Sequence, residues 1–138
     1  MRLSEREART RLASVPVATL ATVGDDGAPH LVPVTFAVEG DLVYTAVDHK
    51  PKTTPRLQRL RNIAGNPLVA LLAQRYDDDW DALWWVRVDG PATVSTGAED
   101  AEHAIDVLVD RYRQYRERRP EGPVITIRIE KWSGWSAS

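Results

Sequence analysis

Hydrophobic positions along the chain change their spacing several times, and each change marks an element. Near the start, Ser4 with Glu7 three residues on reads as a capping box, and Ala8, Leu12 and Val15 recur on one helical face. From Val17 the period shortens to two. The stretch VPVATLATVGDDGAPHLVPVTFAVEGDLVYTAV is rich in Val and Thr and is punctuated by GDDG and EGD turns. It predicts an antiparallel meander with strands near 17–23, 29–38 and 42–47. Pro33 falls inside the second of these. A proline there belongs on an edge, at a bulge, or where the ladder is interrupted beside a ligand.

Thr54-Pro55 then supplies an N-cap and a first helical position, with Leu57, Leu60, Ile63 and Ala64 forming an apolar stripe until Gly65 and Asn66-Pro67 end the helix. LVALLAQRY, about 68–76, and ALWWVRVDGPATVS, about 82–95, read as strands on either side of the polar turn DDDWD. Thr96 with Glu99 is a second capping-box pattern, opening a helix over about 98–118 that Pro120 stops. GPVITIRIEKWSGWS closes the chain with a strand and a Trp-containing tail. About six strands and two or three helices, joined by short turns, predict a mainly β (α+β) fold: a small antiparallel barrel with helical covers. With no repeat or linker in view, residues 1–138 read as one domain.

Composition narrows the setting. Hydrophobic residues make up 43% and charged residues 28%, as in ordinary soluble globular proteins. The lack of cysteine excludes a disulfide framework and thiolate metal sites and fits a reducing interior. The charged N-terminus has no apolar core of a secretory signal, and no apolar run approaches the ~20 residues of a membrane span. The expectation is a cytoplasmic protein that does not enter membranes. A formal net charge of −2 argues against a general nucleic-acid binder.

That charge is unevenly spread. Residues 48–62, DHKPKTTPRLQRLRN, hold five of the 18 Lys and Arg but one of the 20 Asp and Glu. In extended chain Lys50 and Lys52 point the same way, and Arg56 sits on the first turn of the predicted helix, whose free N–H groups favour an anion. Together they describe a phosphate or carboxylate pocket, while Arg59 and Arg61 read as a solvated face. The other basic run, RYRQYRERR, is explained by compensation of a helix-end dipole. His30, His49 and His103 have no ligand-like spacing, and DDDWD lacks the spacing of a calcium loop, so no metal site is expected. Hydrolase, Walker and dinucleotide motifs are all missing.

The five tryptophans carry a second signal. Adjacent Trp84 and Trp85 put one indole on each face of a strand, one for the core and one for a partner, a ligand or water. Trp132 and Trp135, in the tail KWSGWS, suit docking on a dimer partner or walling a flat ring.

ATLATVGDDGAPHLVPVTF, then LVYTAVDHKPK and, after a short helix, NPLVALL, resemble the pyridoxamine-phosphate-oxidase-like split β-barrels. WWVRVDGPA is similar to a later strand of that fold, and KWSGW resembles its C-terminal Trp-Gly signature. Within it, the HKPK loop, the Arg-rich helix and the double Trp look most like the actinobacterial deazaflavin branch. The resemblance implies a six-stranded split barrel and a homodimer with two cofactor sites at the subunit interface. It also implies an oxidoreductase using coenzyme F420, with FMN as the alternative cofactor, on a small-molecule substrate; a non-catalytic cofactor carrier is the alternative role. By position, Lys50 and Lys52 match residues that bind the cofactor phosphate, with Arg56 beside them, and Thr45 matches a hydroxyl that holds the cofactor tail. Val32, Pro33, Val34 and Thr35 match the segment beside the ring. Trp85 and Trp132 fall where relatives contact the cofactor. The Arg-x-His substrate-binding arrangement of the true oxidases is absent, which argues against oxidation of pyridoxamine phosphate. Tyr44 and His30 are the available general-acid candidates, and no catalytic residue is assigned.

Overall fold

The computed structural model describes residues 1–47 and 57–138. Lys50, Lys52 and Arg56, like Thr54-Pro55, lie outside the described residues. The expected first helix forms as α1 (Glu5–Ser14), with Ser4 Oγ accepting the Glu7 N–H and Glu7 Oε1 accepting the Ser4 N–H. Among the described residues eight strands follow rather than six: β1 (Ala18–Val23), β2 (Pro29–Val34), β3 (Ala37–Glu39), β4 (Leu42–Ala46), β5 (Leu68–Arg75), β6 (Trp84–Ser95), β7 (Val124–Arg128) and β8 (Lys131–Ser136). They form one antiparallel sheet in the order β2-β1-β5-β6-β7-β4-β3, with β8 added to β6. The remaining helices are α2 (Gln58–Gly65), α3 (Ala98–Arg111) and α4 (Arg113–Glu117).

Two differences from the expected strands account for the count. The segment expected to run unbroken over 29–38 divides at Thr35-Phe36, so that β2 pairs with β1 and β3 with β4. At the division the Phe36 N–H and carbonyl leave the ladder and are taken up by the Tyr112 hydroxyl, at 2.9 and 2.8 Å. The tail forms β8, whose Trp132 and Trp135 pair with Val88 and Trp85 of β6. β6 therefore serves two groups of strands, meeting β5 and β8 over its first part and β7 over Ala92–Ser95. Gly90 marks the change of partner, since a β-carbon there would overlap the Arg128 carbonyl oxygen.

The expected long helix is also broken. Tyr112 has extended backbone angles and separates α3 from α4, and α3 starts from Gly97 with no side-chain cap, so the Thr96–Glu99 box does not form. Pro33 lies opposite Thr19 on β2, a terminal strand of the sheet, where its missing N–H costs least.

Leu12, Leu20, Leu71, Val86, Val88, Ile125 and Ile127 are completely buried and form the main core. Removing each Leu from water contributes roughly 1.5–3 kcal/mol. A second cluster joins α3 to β4 and β7 through Ala101, Ile105, Leu108, Tyr44 and Val124. At the N-terminus, residues 1–3 run beside β8: the Leu3 N–H donates to the Gly134 carbonyl and the Ser136 N–H to the Met1 carbonyl. Among the described residues, no helix is long and apolar enough to cross a membrane.

Candidate functional site

The edge strand, the strand division and α2 meet at one small cavity. Val17, Pro33, Val34, Thr35, Ala46 and Arg59 line about 140 Å³. Three of the four residues of the expected ring-side segment thus line it, while Val32, on the same face of β2 as Val34, packs against the core without reaching the cavity. Thr35 is tightly held. Its carbonyl accepts the Thr45 hydroxyl at 2.7 Å, and its own hydroxyl lies 2.7 Å from that of Tyr115. Thr45 is buried, so its immediate role is to fix the Thr35 peptide.

Arg59 was expected to face water and instead lines the cavity, half-buried, whereas Arg61 is exposed and donates to Gln58 Oε1 at 2.6 Å. Helix periodicity explains the difference. Arg59 lies three and four residues before buried Asn62 and Ile63 and shares their face. A hydrogen-bonded relay running inward seats that face: Gln58 Nε2 donates to Asn62 Oδ1 at 2.7 Å, and the buried Asn62 Nδ2 donates to Thr22 Oγ1 on β1 at 2.9 Å. Position 59 was legible from that spacing; the two tyrosines, 76 and 80 residues beyond their partners, were not.

The two tryptophans expected at the cofactor do not share this cavity within one chain. Trp85 lines a broader depression of about 420 Å³ with Leu72, Gln74, Tyr76 and Arg87. It belongs to the outer face of β2-β1-β5-β6-β8, across which Pro33, Thr19, Leu72, Arg87 and Ser133 stand in register. This face is apolar for a surface: Leu31 is 66% exposed, Leu68 60% and Trp135 36%. Pro33 ends one of its rows, so cavity and face are continuous. Trp132 turns toward the core and carries the Arg9 guanidinium 4.7 Å from its ring centre.

Neither general-acid candidate lines the cavity. The Tyr44 hydroxyl donates to Glu39 Oε1 at 2.9 Å; burial and that carboxylate push the phenol up to about 12. His103 Nε2 meets the same oxygen at 2.7 Å. The His103 contact, followed by that of Tyr44, holds Glu39 below the ordinary carboxylate range, and the Glu39 hydrogen bond raises His103. This cluster fastens α3 to β3 and β4. His30 sits opposite Thr22 with its Nδ1 buried and unpaired among the described residues. No three His, Asp or Glu side chains among those residues converge on a metal position.

An eight-stranded antiparallel sheet with flanking helices, a cavity at its Pro33 edge and an apolar outer face describe one architecture. The chain belongs to the pyridoxamine 5'-phosphate oxidase family, whose model matches residues 4–136. Its fold is similar to that of a conserved hypothetical protein of Mycobacterium tuberculosis, at 23% identity and a TM-score of 0.77 over 98% of this chain and 86% of that one. The FAD binding protein of Mycobacterium smegmatis shares 20% identity, with a TM-score of 0.68 over 98% and 96% of the two chains. HutZ, the haem storage protein of Vibrio cholerae, shares 17%, with a TM-score of 0.73 over 99% and 95%. At these identities the likeness is one of fold. No curated protein matches the chain significantly.

Proposed function

We propose that the protein is a homodimeric oxidoreductase that uses the deazaflavin coenzyme F420 and passes hydride between it and an electron-poor small molecule. The observation that carries this reading is the cavity itself, where Arg59 stands on the wall beside an edge strand interrupted by proline. Such a donor set fits a flat heterocycle with an anionic tail: Arg59 for the anion, the Pro33–Thr35 edge for the ring, and apolar walls from Val17, Val34 and Ala46. When bound, the cofactor supplies the hydride chemistry. The chain's part is to bind it, to orient its ring against the pinned Thr35 peptide and to keep water out. Lys50, Lys52 and Arg56 would add to the anion site, from outside the described residues.

A cavity of about 140 Å³ is smaller than the roughly 300–1,000 Å³ of complete ligand sites. This supports a site finished by a second copy docked on the adjoining apolar face. FMN is the alternative cofactor, favoured by the FAD-binding relative, and a non-catalytic carrier is the alternative role, favoured by the haem storage relative.

Titrating the protein with oxidised deazaflavin and, separately, with FMN while following Trp fluorescence tests the reading. Saturable quenching, tighter with the deazaflavin, is expected. Quenching by neither overturns it, and tight binding without turnover of any acceptor in a panel of activated alkenes, imines and quinones turns it toward the carrier.

A further inference from the structure

The break between α3 and α4 places two tyrosines against two consecutive residues of the strand crossing. Tyr112 takes both backbone groups of Phe36, and Tyr115 reaches the Thr35 side chain. With the Thr35 carbonyl already accepting Thr45, the peptide is fixed from both sides, and the remaining freedom of Thr35 is the rotation of its side chain. A β-branched residue has few rotamers, and a hydroxyl partner at 2.7 Å selects among them. A threonine hydroxyl has one proton and two lone pairs, so a single bond to Tyr115 leaves capacity for another. Thr35 lines the cavity that also holds Arg59.

We propose that Tyr115 is a positioning residue of this cavity: it sets the Thr35 hydroxyl to make a hydrogen bond to the polar edge of a planar heterocycle whose anionic tail Arg59 receives. This inference rests on the cofactor-binding reading above and specifies which polar contact orients the ring. The phenol itself need not touch the ligand. Its effect passes through Thr35, so the two hydroxyls act as one unit and their removal is not additive.

The test is a double-mutant cycle of Tyr115→Phe and Thr35→Val in the full chain. Affinity for oxidised deazaflavin and for FMN is read by Trp quenching, with melting temperature and the absorption spectrum of the bound ligand recorded alongside. Each single variant is expected to weaken binding by roughly three- to tenfold, the scale of one net hydrogen bond. The double variant should lose no more than the worse single one, and Thr35→Ser should bind nearly as the parent. A shift of the bound ligand's absorption band in Tyr115→Phe, at unchanged melting temperature, separates positioning from a merely structural role. If Tyr115→Phe binds as tightly as the parent while Arg59→Ala is impaired, the inference is overturned and the cofactor reading stands. If the parent binds neither ligand, both fall.

Discussion

The two faces of the β2-β1-β5-β6 strands carry similar side chains under different conditions. On the inner face Leu20, Leu71, Val86 and Val88 are completely buried. On the outer face Leu72 and Trp85 are half-buried, and Leu31 and Leu68 stand in the open. An antiparallel sheet with one wet side ordinarily alternates apolar and polar residues. Here the alternation sorts residues by how much of each is covered by this chain, and the uncovered remainder is what the proposed second copy would cover. One set of positions holds the fold; the other is available for association.

The largest effect expected from breaking this contrast is on the inner side. Leu71→Ala should cost about 2–5 kcal/mol of stability in denaturant unfolding, as for other emptied core positions. The neighbouring Leu72→Glu should leave the fold intact but abolish self-association in sedimentation or light scattering; a variant that associates like the parent sinks the dimer proposed for this face. Next in size, Arg59→Ala should weaken deazaflavin binding by about 1–3 kcal/mol with little change in melting temperature, whereas Arg61→Ala should do neither. Equal effects from the two would return Arg59 to the solvated face.

The smallest effect concerns the latch between α3 and β3. His103 is raised from 6.5 by Glu39, so its share of the contact is complete below about pH 6.5 and fades as pH climbs through the raised value. Glu39 is lowered from 4.5, so its share is complete above about pH 4.5 and fades as pH falls through the lowered value. The melting-temperature difference between the parent and His103→Asn should therefore be greatest between about pH 4.5 and 6.5 and fade as pH climbs through the raised His103 value. A pH-independent difference would assign His103 to packing alone.

Most of the fold was legible because alternation, turn residues and the Ser4 cap act between near neighbours in the chain. The features that escaped depend on distant partners. No local pattern announces that Tyr112 will draw Phe36 out of its ladder, or that KWSGWS will pair along β6 once Gly90 lets the β7–β8 connection close in. The candidate site divides in the same way. Pro33 and Thr35 followed from a proline in a strand and from resemblance, and Arg59 could have been found by counting three and four residues to Asn62 and Ile63. Lys50, Lys52 and Arg56 lie outside the described residues, so they remain part of the proposal.

The strip formed by residues 1–3 along β8 places the two ends of the chain at the same point on the surface. Topologically the polypeptide is close to a ring. A short linker from Ser138 to Met1 would close that ring at little entropic cost, because so short a loop spans ends that are already hydrogen-bonded together. The order in which the strands are synthesised is then a separate matter from the order in which they pair. The exposed Asp25-Asp26-Gly27 turn could become the start of the chain without altering the strand order of the sheet.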